Sequence, residues 1–364
     1  MSPREILLNP GPVTMSEGVR RALGQGDWCH REPEFADLTT RILGSLERVY
    51  ATQAPFRSVL LTGSGTAAVE AMLATLAPRE SKTLVVANGV YGQRMADMLR
   101  AHGREVVLES GAWEEGIDLS AVERRLKEDG RIRTVATVHH ETTTGRLNDL
   151  EGLGAVCQRY DCRILLDGVS SFGAETIDLD AWPIAAVAAT ANKCLHGSPG
   201  LSFVLVREDV LEDVDWEVGS VYLDLRRYHA TQRQGGFSPF TQAVHVTFAL
   251  DAALREFHEG GGQTARLARY RAVAGRVRDA LEGMGVHPLL SDEESSSVLR
   301  CYLLSEKLNY EDIHDGMKSR GFVIYAGQGR LRSDVFRLAH MGDIRDEDVD
   351  RLVASFGEVL GVTR

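Results

Sequence analysis

Lys193 stands in Thr190-Ala191-Asn192-Lys193-Cys194, directly after the apolar run Ala185–Ala189, and Asp167 ends another apolar run upstream. A lysine and an aspartate at two strand ends suit one kind of chemistry. The amine can hold an aldehyde as a Schiff base, and the carboxylate can keep a pyridine nitrogen protonated so that the ring accepts electrons. Neither residue is informative alone, because a lysine there is by default a solvated terminus and an aspartate a cap or turn former. A third feature makes the pair specific. Ser58–Leu61 feeds Gly63-Ser64-Gly65-Thr66-Ala67-Ala68-Val69-Glu70, a turn that opens an apolar helix near Thr66. Backbone N–H groups and the positive end of the dipole at such a helix start can hold a phosphate. The glycines allow close approach, and the hydroxyls of Ser64 and Thr66 add donors. Amine, carboxylate and phosphate cup together predict a pyridoxal phosphate site. The Gly-Lys-Ser/Thr ending of a P-loop is absent, as is an acidic ribose ligand about 20 residues on, which disfavours nicotinamide binding.

Three further segments belong at the same rim. Asn88-Gly89-Val90-Tyr91-Gly92 follows the apolar run Thr83–Ala87 and places Tyr91 at a strand's carboxyl end, where it can stack on a flat ring. His139-His140-Glu141-Thr142-Thr143-Thr144-Gly145 follows the next such strand. Adjacent histidines on extended chain point to opposite sides, so this segment reads as a loop anchor rather than a metal site. Val335-Phe336-Arg337-Leu338 puts an arginine into an apolar strand, where an unpaired charge is costly. Arg337 therefore needs an anion: an aspartate if its role is structural, a substrate carboxylate if it is functional.

The elements that must position these groups follow from the patterning. Candidate strands are Ser58–Leu61, Thr83–Ala87, Glu105–Leu108, Thr134–Val138, Arg163–Leu166, Ala185–Thr190 and Leu201–Val206. They alternate with helical spacing over Thr66–Leu76, Gly92–Ala101, Leu119–Asp129 and Leu150–Tyr160, the signature of parallel strands joined by crossover helices. After about Phe248 the pattern changes to a long helix, Gly262–Met284. Strands near Ser297–Leu304, Phe322–Tyr325 and Val335–Leu338 and a terminal helix near Asp346–Leu360 come after it. The expected class is α/β: a large domain with a mostly parallel sheet over residues 1–248, then a smaller α+β domain over 249–364.

The chain has 364 residues and a formal net charge of -11, which argues against a nucleic-acid partner because phosphate backbones need a concentrated basic face. Its five cysteines are odd in number and lack paired metal spacing, so reduced thiols in a cytoplasmic protein are expected. No apolar run approaches about 18 residues, and the start Met1-Ser2-Pro3-Arg4-Glu5 lacks an apolar leader core. A soluble protein without a membrane partner is the expectation.

Taken together, the motifs resemble the class V, fold-type I pyridoxal phosphate aminotransferases, and within them the branch acting on 2-aminoethylphosphonate and pyruvate. The resemblance is carried by Leu8-Asn9-Pro10-Gly11-Pro12, Asp27-Trp28-Cys29, His30-Arg31-Glu32-Pro33-Glu34-Phe35, Gly63-Ser64-Gly65 and Asn88-Gly89-Val90-Tyr91-Gly92. It continues through Glu141-Thr142-Thr143-Thr144-Gly145, Asp167-Gly168-Val169-Ser170-Ser171-Phe172-Gly173, Ala191-Asn192-Lys193-Cys194, Gly321-Phe322-Val323-Ile324-Tyr325 and Phe336-Arg337-Leu338. It implies that Lys193 is the Schiff-base lysine, that Asp167 pairs with the pyridine nitrogen and that Tyr91 stacks on the ring. Ser64, Gly65 and Thr66 would hold the phosphate with help from Ser171, Thr143 would lie near the ring hydroxyl, and Arg337 and Gly11 would meet the substrate. Thr241 would reach the phosphate site of a partner subunit, since the family forms homodimers with interface active sites. Val218–Gln234 matches the family pattern poorly, so no phosphonate contact is assigned to Arg226 or Arg227. The implied reaction is transamination between a small amino donor and a keto acid. Its alternatives are the serine, alanine or glyoxylate aminotransferases of the class and enzymes acting on a phosphonate amino acid in biosynthesis.

Overall fold

The computed structural model describes residues 4–305 and 309–362; the opening Met1-Ser2-Pro3 of the leader reading lies outside them. In chain order its elements begin β1 (Ile6–Leu7), α1 (Glu17–Ala22), α2 (Pro33–Glu47), β2 (Phe56–Thr62), α3 (Gly65–Leu76), β3 (Lys82–Ala87), α4 (Val90–Ala101), β4 (Glu105–Ser110), α5 (Leu119–Glu128) and β5 (Ile132–Val138). There follow β6 (His140–Glu141), β7 (Arg146–Leu147), α6 (Leu150–Arg159), β8 (Arg163–Asp167), β9 (Ile184–Thr190), β10 (Leu201–Arg207), α7 (Glu208–Glu212), α8 (Leu225–Gly235) and α9 (Val244–Glu259). The rest is α10 (Gly262–Gly283), β11 (Leu299–Leu303), α11 (Tyr310–Ser319), β12 (Phe322–Val323), β13 (Tyr325–Ala326), β14 (Val335–Ala339) and α12 (Asp346–Val359).

Near-continuous apolar runs form a seven-stranded sheet in the order β2-β10-β9-β8-β5-β3-β4. Such runs are buried on both faces by crossover helices, which is what parallel strands require. Residues of β9 are buried along the whole strand. One strand departs from the parallel expectation: β10 runs antiparallel to both β2 and β9. Only residues 191–200 join it to β9, and they contain no helix, so the chain must turn back on itself.

The second sheet, β11-β14-β13, is antiparallel and is covered by α10, α11 and α12. α9 lies in the core of the large sheet, with Leu250, Leu254 and Phe257 buried among Phe172, Phe203 and Leu195. At the other end, Ile6 and Leu8 belong to the core of the small domain, because β1 pairs in parallel with β12. The amino-terminal segment thus crosses from the small domain toward the carboxyl edge of the large sheet. Helices α1, α2, α7, α8, α9 and α11 and strands β1, β6 and β7 lie outside the elements expected from the patterning. α2 carries one readable signal, a proline at its first turn.

Candidate active site

The carboxyl ends of β2, β3, β5, β8 and β9 point to one edge of the large sheet, and the loops beyond them carry the chemistry. Asp167 is the last residue of β8, opposite Val138 and Ala188. It is 7% exposed, and its Oδ1 accepts from Val169 N–H at 2.9 Å. Burial pushes its carboxyl up to about 6, against the pull of that N–H and of the Lys193 and Arg94 charges.

Lys193 lies in the turn after β9 and is partly buried. Burial pulls its amine down to about 8; Cys194 and Asp167 oppose the fall and Arg337 adds to it. Its Nζ donates to the carbonyl of Pro10. Gly11 explains how the amino-terminal segment comes so near: a Cβ there would lie 3.0 Å from both Cδ and Cε of Lys193, on a backbone with φ of +119°. Glycine is the residue that allows both.

Thr66, Tyr91 and Asp167 line one cleft together with Val69, Arg94 and Val169. The first N–H groups of a helix have no intrahelical acceptor, and the Ser64 side chain does not cap those of α3. Ser64 and Thr66 are exposed, while Gly65 is buried against Val169, whose Cγ1 would be 2.8 Å from an added Cβ. Tyr91 enters at the start of α4. Its N–H donates to Glu141 Oε2 at 3.3 Å.

Glu141 is the loop's organiser. Its Oε1 accepts from Thr143 Oγ1 at 2.6 Å and Thr143 N–H at 3.1 Å. Burial holds its carboxyl above the usual range, the Thr143 donors acting against it. Thr143 is fully buried, and its Oγ1 also accepts from Val90 N–H at 3.3 Å. The two histidines are loop anchors as expected: His139 Nδ1 pairs with Ser171 Oγ at 3.0 Å, and His140 Nδ1 donates to the carbonyl of Ser170 at 3.2 Å. Burial pulls both rings down to about 3, so both are neutral.

Arg337 is 6% exposed on β14. It donates to the carbonyls of Ala326 (2.9 Å) and Thr142 (3.1 Å) and to Gln328 Oε1 (3.2 Å). None of these is an anion, and among the described residues no aspartate or glutamate pairs with it. The structural aspartate that sequence reasoning left open is therefore absent there.

The remaining expectations fall elsewhere. Ser171 is fully buried with its hydroxyl on His139, outside the residues lining the Asp167 cleft. Thr241 is exposed in the loop before α9, which is tied to the end of β2 by Ala243 N–H on Thr62 Oγ1 at 3.1 Å. Arg226 and Arg227 both face Asp224, at 3.0 and 3.6 Å. Arg94 is the cleft residue that sequence reasoning missed. Its guanidinium carbon is 4.9 Å from the centroid of the Tyr91 ring, three positions earlier on the same helix, and that spacing was the available signal.

Comparison with known proteins agrees with this geometry. The family model described as aminotransferase class-V matches residues 46–338. The 2-aminoethylphosphonate–pyruvate transaminase of Pseudomonas entomophila (strain L48) is 34% identical over 99% of this chain and 98% of its own length. The protein of that name from Pseudomonas aeruginosa strain PAO1 is 35% identical over 98% and 96%. Among solved structures, alanine–glyoxylate aminotransferase from Nostoc sp. superposes with a TM-score of 0.91 at 27% identity, covering 99% of this chain and 96% of that one. Pyridoxamine–pyruvate aminotransferase from Mesorhizobium loti, at 24% identity and a TM-score of 0.88 over 99% and 92%, shares the fold.

Proposed function

This chain belongs to the class V aminotransferases, and from that membership we propose that it transfers the amino group of 2-aminoethylphosphonate to pyruvate, giving phosphonoacetaldehyde and L-alanine. The family's cofactor is pyridoxal 5'-phosphate. When bound, it supplies an aldehyde carbon that takes up an amine and a protonated ring that accepts an electron pair. The residues present fit it: a partly buried amine of depressed basicity, a buried carboxylate, an aromatic face and an uncapped helix start. Lys193 would hold the aldehyde carbon, Asp167 the ring nitrogen, and Ser64, Gly65 and Thr66 the phosphate, with Tyr91 against the ring and Thr143 near its hydroxyl.

The observation that carries the reading is Arg337, a buried cation with no acidic partner among the described residues, whose charge reaches Lys193. Its planar fork suits the carboxylate of pyruvate or alanine. Lys193 serves as general base and acid. Lowered to about 8 by burial, its amine is neutral in part of the population at neutral pH, so it can take the proton from carbon 2, the amine-bearing carbon, of 2-aminoethylphosphonate. In the second half it returns a proton to carbon 2 of the new alanine. Pro10 and Gly11, packed on the Lys193 stem, limit where that amine can point. Ionised, Asp167 would pair with the pyridine nitrogen and so sustain the electron-withdrawing state of the ring.

We infer in addition a homodimer, in which the exposed Thr241 reaches the partner's phosphate cup. The exposed apolar residues Val221 and Tyr222 support an interface on that side. The five free cysteines support the cytoplasm as the compartment, and no helix among the described residues is long and apolar enough to cross a membrane. The deciding experiment is single-turnover bleaching of the visible absorbance of the loaded protein with 2-aminoethylphosphonate, phosphonoalanine, alanine and serine. Rapid bleaching by 2-aminoethylphosphonate and alanine alone is expected. Bleaching by serine in place of 2-aminoethylphosphonate would transfer the chain to the serine and alanine group of the class.

A further inference from the structure

Asp167 has to stay ionised in a place that disfavours charge. It is 7% exposed, and burial is the largest influence on its carboxyl. The charged and titratable groups facing it come from three segments of the chain. Lys193, in the turn after β9, and Arg94, on α4 and in the same cleft, both act on it as positive charges, Arg94 the weaker of the two. Glu141, on β6 in the segment after β5, feels Asp167 as a like charge. His139, whose N–H donates to the carbonyl of Asp167 at 3.0 Å, has a neutral ring held on Ser171.

Two of these groups are cations, and they differ in kind. Lys193 loses its positive charge whenever its amine acts as a base or joins an aldehyde. A guanidinium does not titrate in this range. Arg94 is also uncommitted: Asp97, the acid nearest to it on α4, pairs with Arg100 at 3.0 Å, and among the described residues no carboxylate lies within ion-pair distance of Arg94. It lines the same cleft as Asp167 and Thr66, and its one recorded contact there is the Tyr91 ring, 4.9 Å from its guanidinium carbon.

We propose that Arg94 is a positioning residue of this site: its permanent charge holds Asp167 ionised while Lys193 changes charge, and its guanidinium fixes the plane of the Tyr91 ring. The inference rests on the reading of the cleft as a pyridoxal phosphate site and extends it to a residue that touches neither reacting atom.

The test measures binding rather than turnover. Apoprotein is titrated with pyridoxal 5'-phosphate between pH 5.5 and 8.5, following the visible absorbance, for wild type, Arg94→Gln, Arg94→Lys, and Asp167→Asn with and without Arg94→Gln. Thermal unfolding of each apoprotein serves as the fold control. Wild-type affinity is expected to fall as the pH drops through about 6, where Asp167 gains a proton. Without the arginine the proton is held more tightly, so the Arg94→Gln midpoint moves up; a shift of about one pH unit raises the dissociation constant about twofold at pH 7 and about eightfold at pH 5.5. Arg94→Lys restores the midpoint, because it restores the charge. In the Asp167→Asn background Arg94→Gln shifts no midpoint, which a merely structural role would not produce. An Arg94→Gln midpoint equal to that of wild type overturns the inference and leaves the cofactor reading intact. A wild-type protein that takes up no pyridoxal phosphate overturns both.

Discussion

Gly89 and Glu141 occupy what would be shared space: a Cβ on Gly89 would lie 2.2 Å from the carboxyl carbon of Glu141. With φ of 178° the glycine backbone is simply extended, so the requirement is room and not conformation. The carboxylate fills that room and receives the Tyr91 N–H and the two Thr143 donors, so one buried side chain sets the relative placement of two candidate cofactor contacts.

Gly89→Ala is therefore expected to destabilise the protein by about 1–3 kcal/mol, the range for overpacking a tight interior. It should also weaken cofactor affinity, because Glu141 must move. Glu141→Gln keeps the shape and loses the charge, and it should bind cofactor better than Glu141→Ala. Thermal melting and cofactor titration check both; a Gly89→Ala protein that melts and binds as wild type does would show that the loop yields freely.

Lys193→Ala is expected to retain some cofactor through noncovalent contacts but to lose the Schiff-base absorbance and nearly all turnover. Asp167→Ala should bind cofactor less well and turn over orders of magnitude more slowly, since a charged hydrogen bond contributes about 1.5–3 kcal/mol and the electron-withdrawing ring state is lost with it. Absorbance spectra and steady-state rates decide. Near wild-type turnover in either variant removes that residue from its role.

Arg337→Lys is expected to fold normally and to weaken pyruvate and alanine strongly, because an ammonium offers a point charge where a planar fork is needed. If other groups hold the phosphonate, the loss falls on the pyruvate half-reaction; if Arg337 serves both anions in turn, it falls on both. Half-reaction kinetics with thermal unfolding check this. A lowered melting temperature with unchanged pyruvate affinity would mean that Arg337 braces Thr142 and Ala326 and nothing more.

The apoprotein should lose stability in acid beginning near pH 6.5. Burial depresses His139, His140 and His340 to about 3, 3 and 4, and His196 well below its ordinary value. These rings are neutral when folded and take up protons only on unfolding, so their contribution is complete above about 6.5 and is lost as the pH falls toward the folded values. Asp167 and Glu141, held above the usual range, bind protons more readily in the folded state and offset part of the loss. Melting temperatures between pH 7.5 and 4.5 measure the balance, and a flat profile would contradict the burial of these rings.

Thr241→Ala is expected to leave the melting of the protein unchanged, since the side chain is exposed and makes no hydrogen bond among the described residues, and to weaken pyridoxal phosphate binding in the dimer. Sedimentation gives the assembly state and cofactor titration the affinity. A monomer, or an unaltered affinity in a dimer, would place Thr241 outside the site.

The sequence by itself determined the chemistry. Lys193, Asp167 and the Gly63–Thr66 turn follow apolar runs directly, and a strand of the expected type delivers whatever follows it to the sheet's carboxyl edge. The expected strands of the large sheet end within two residues of those observed, because a buried run bounded by polar turns is a local signal. Tertiary structure decided what depends on residues distant in the chain. Pro10 meets Lys193 across 183 positions, which no periodicity records. β10 reverses because the link before it holds no helix, although its composition is that of its parallel neighbours. The absence of an acid at Arg337 among the described residues and the seating of α9 in the large core also required the packed chain. Arg94 lies between the two cases: its spacing from Tyr91 was visible, but an exposed helical arginine is the ordinary reading of that spacing until the fold brings Asp167 into the same cleft.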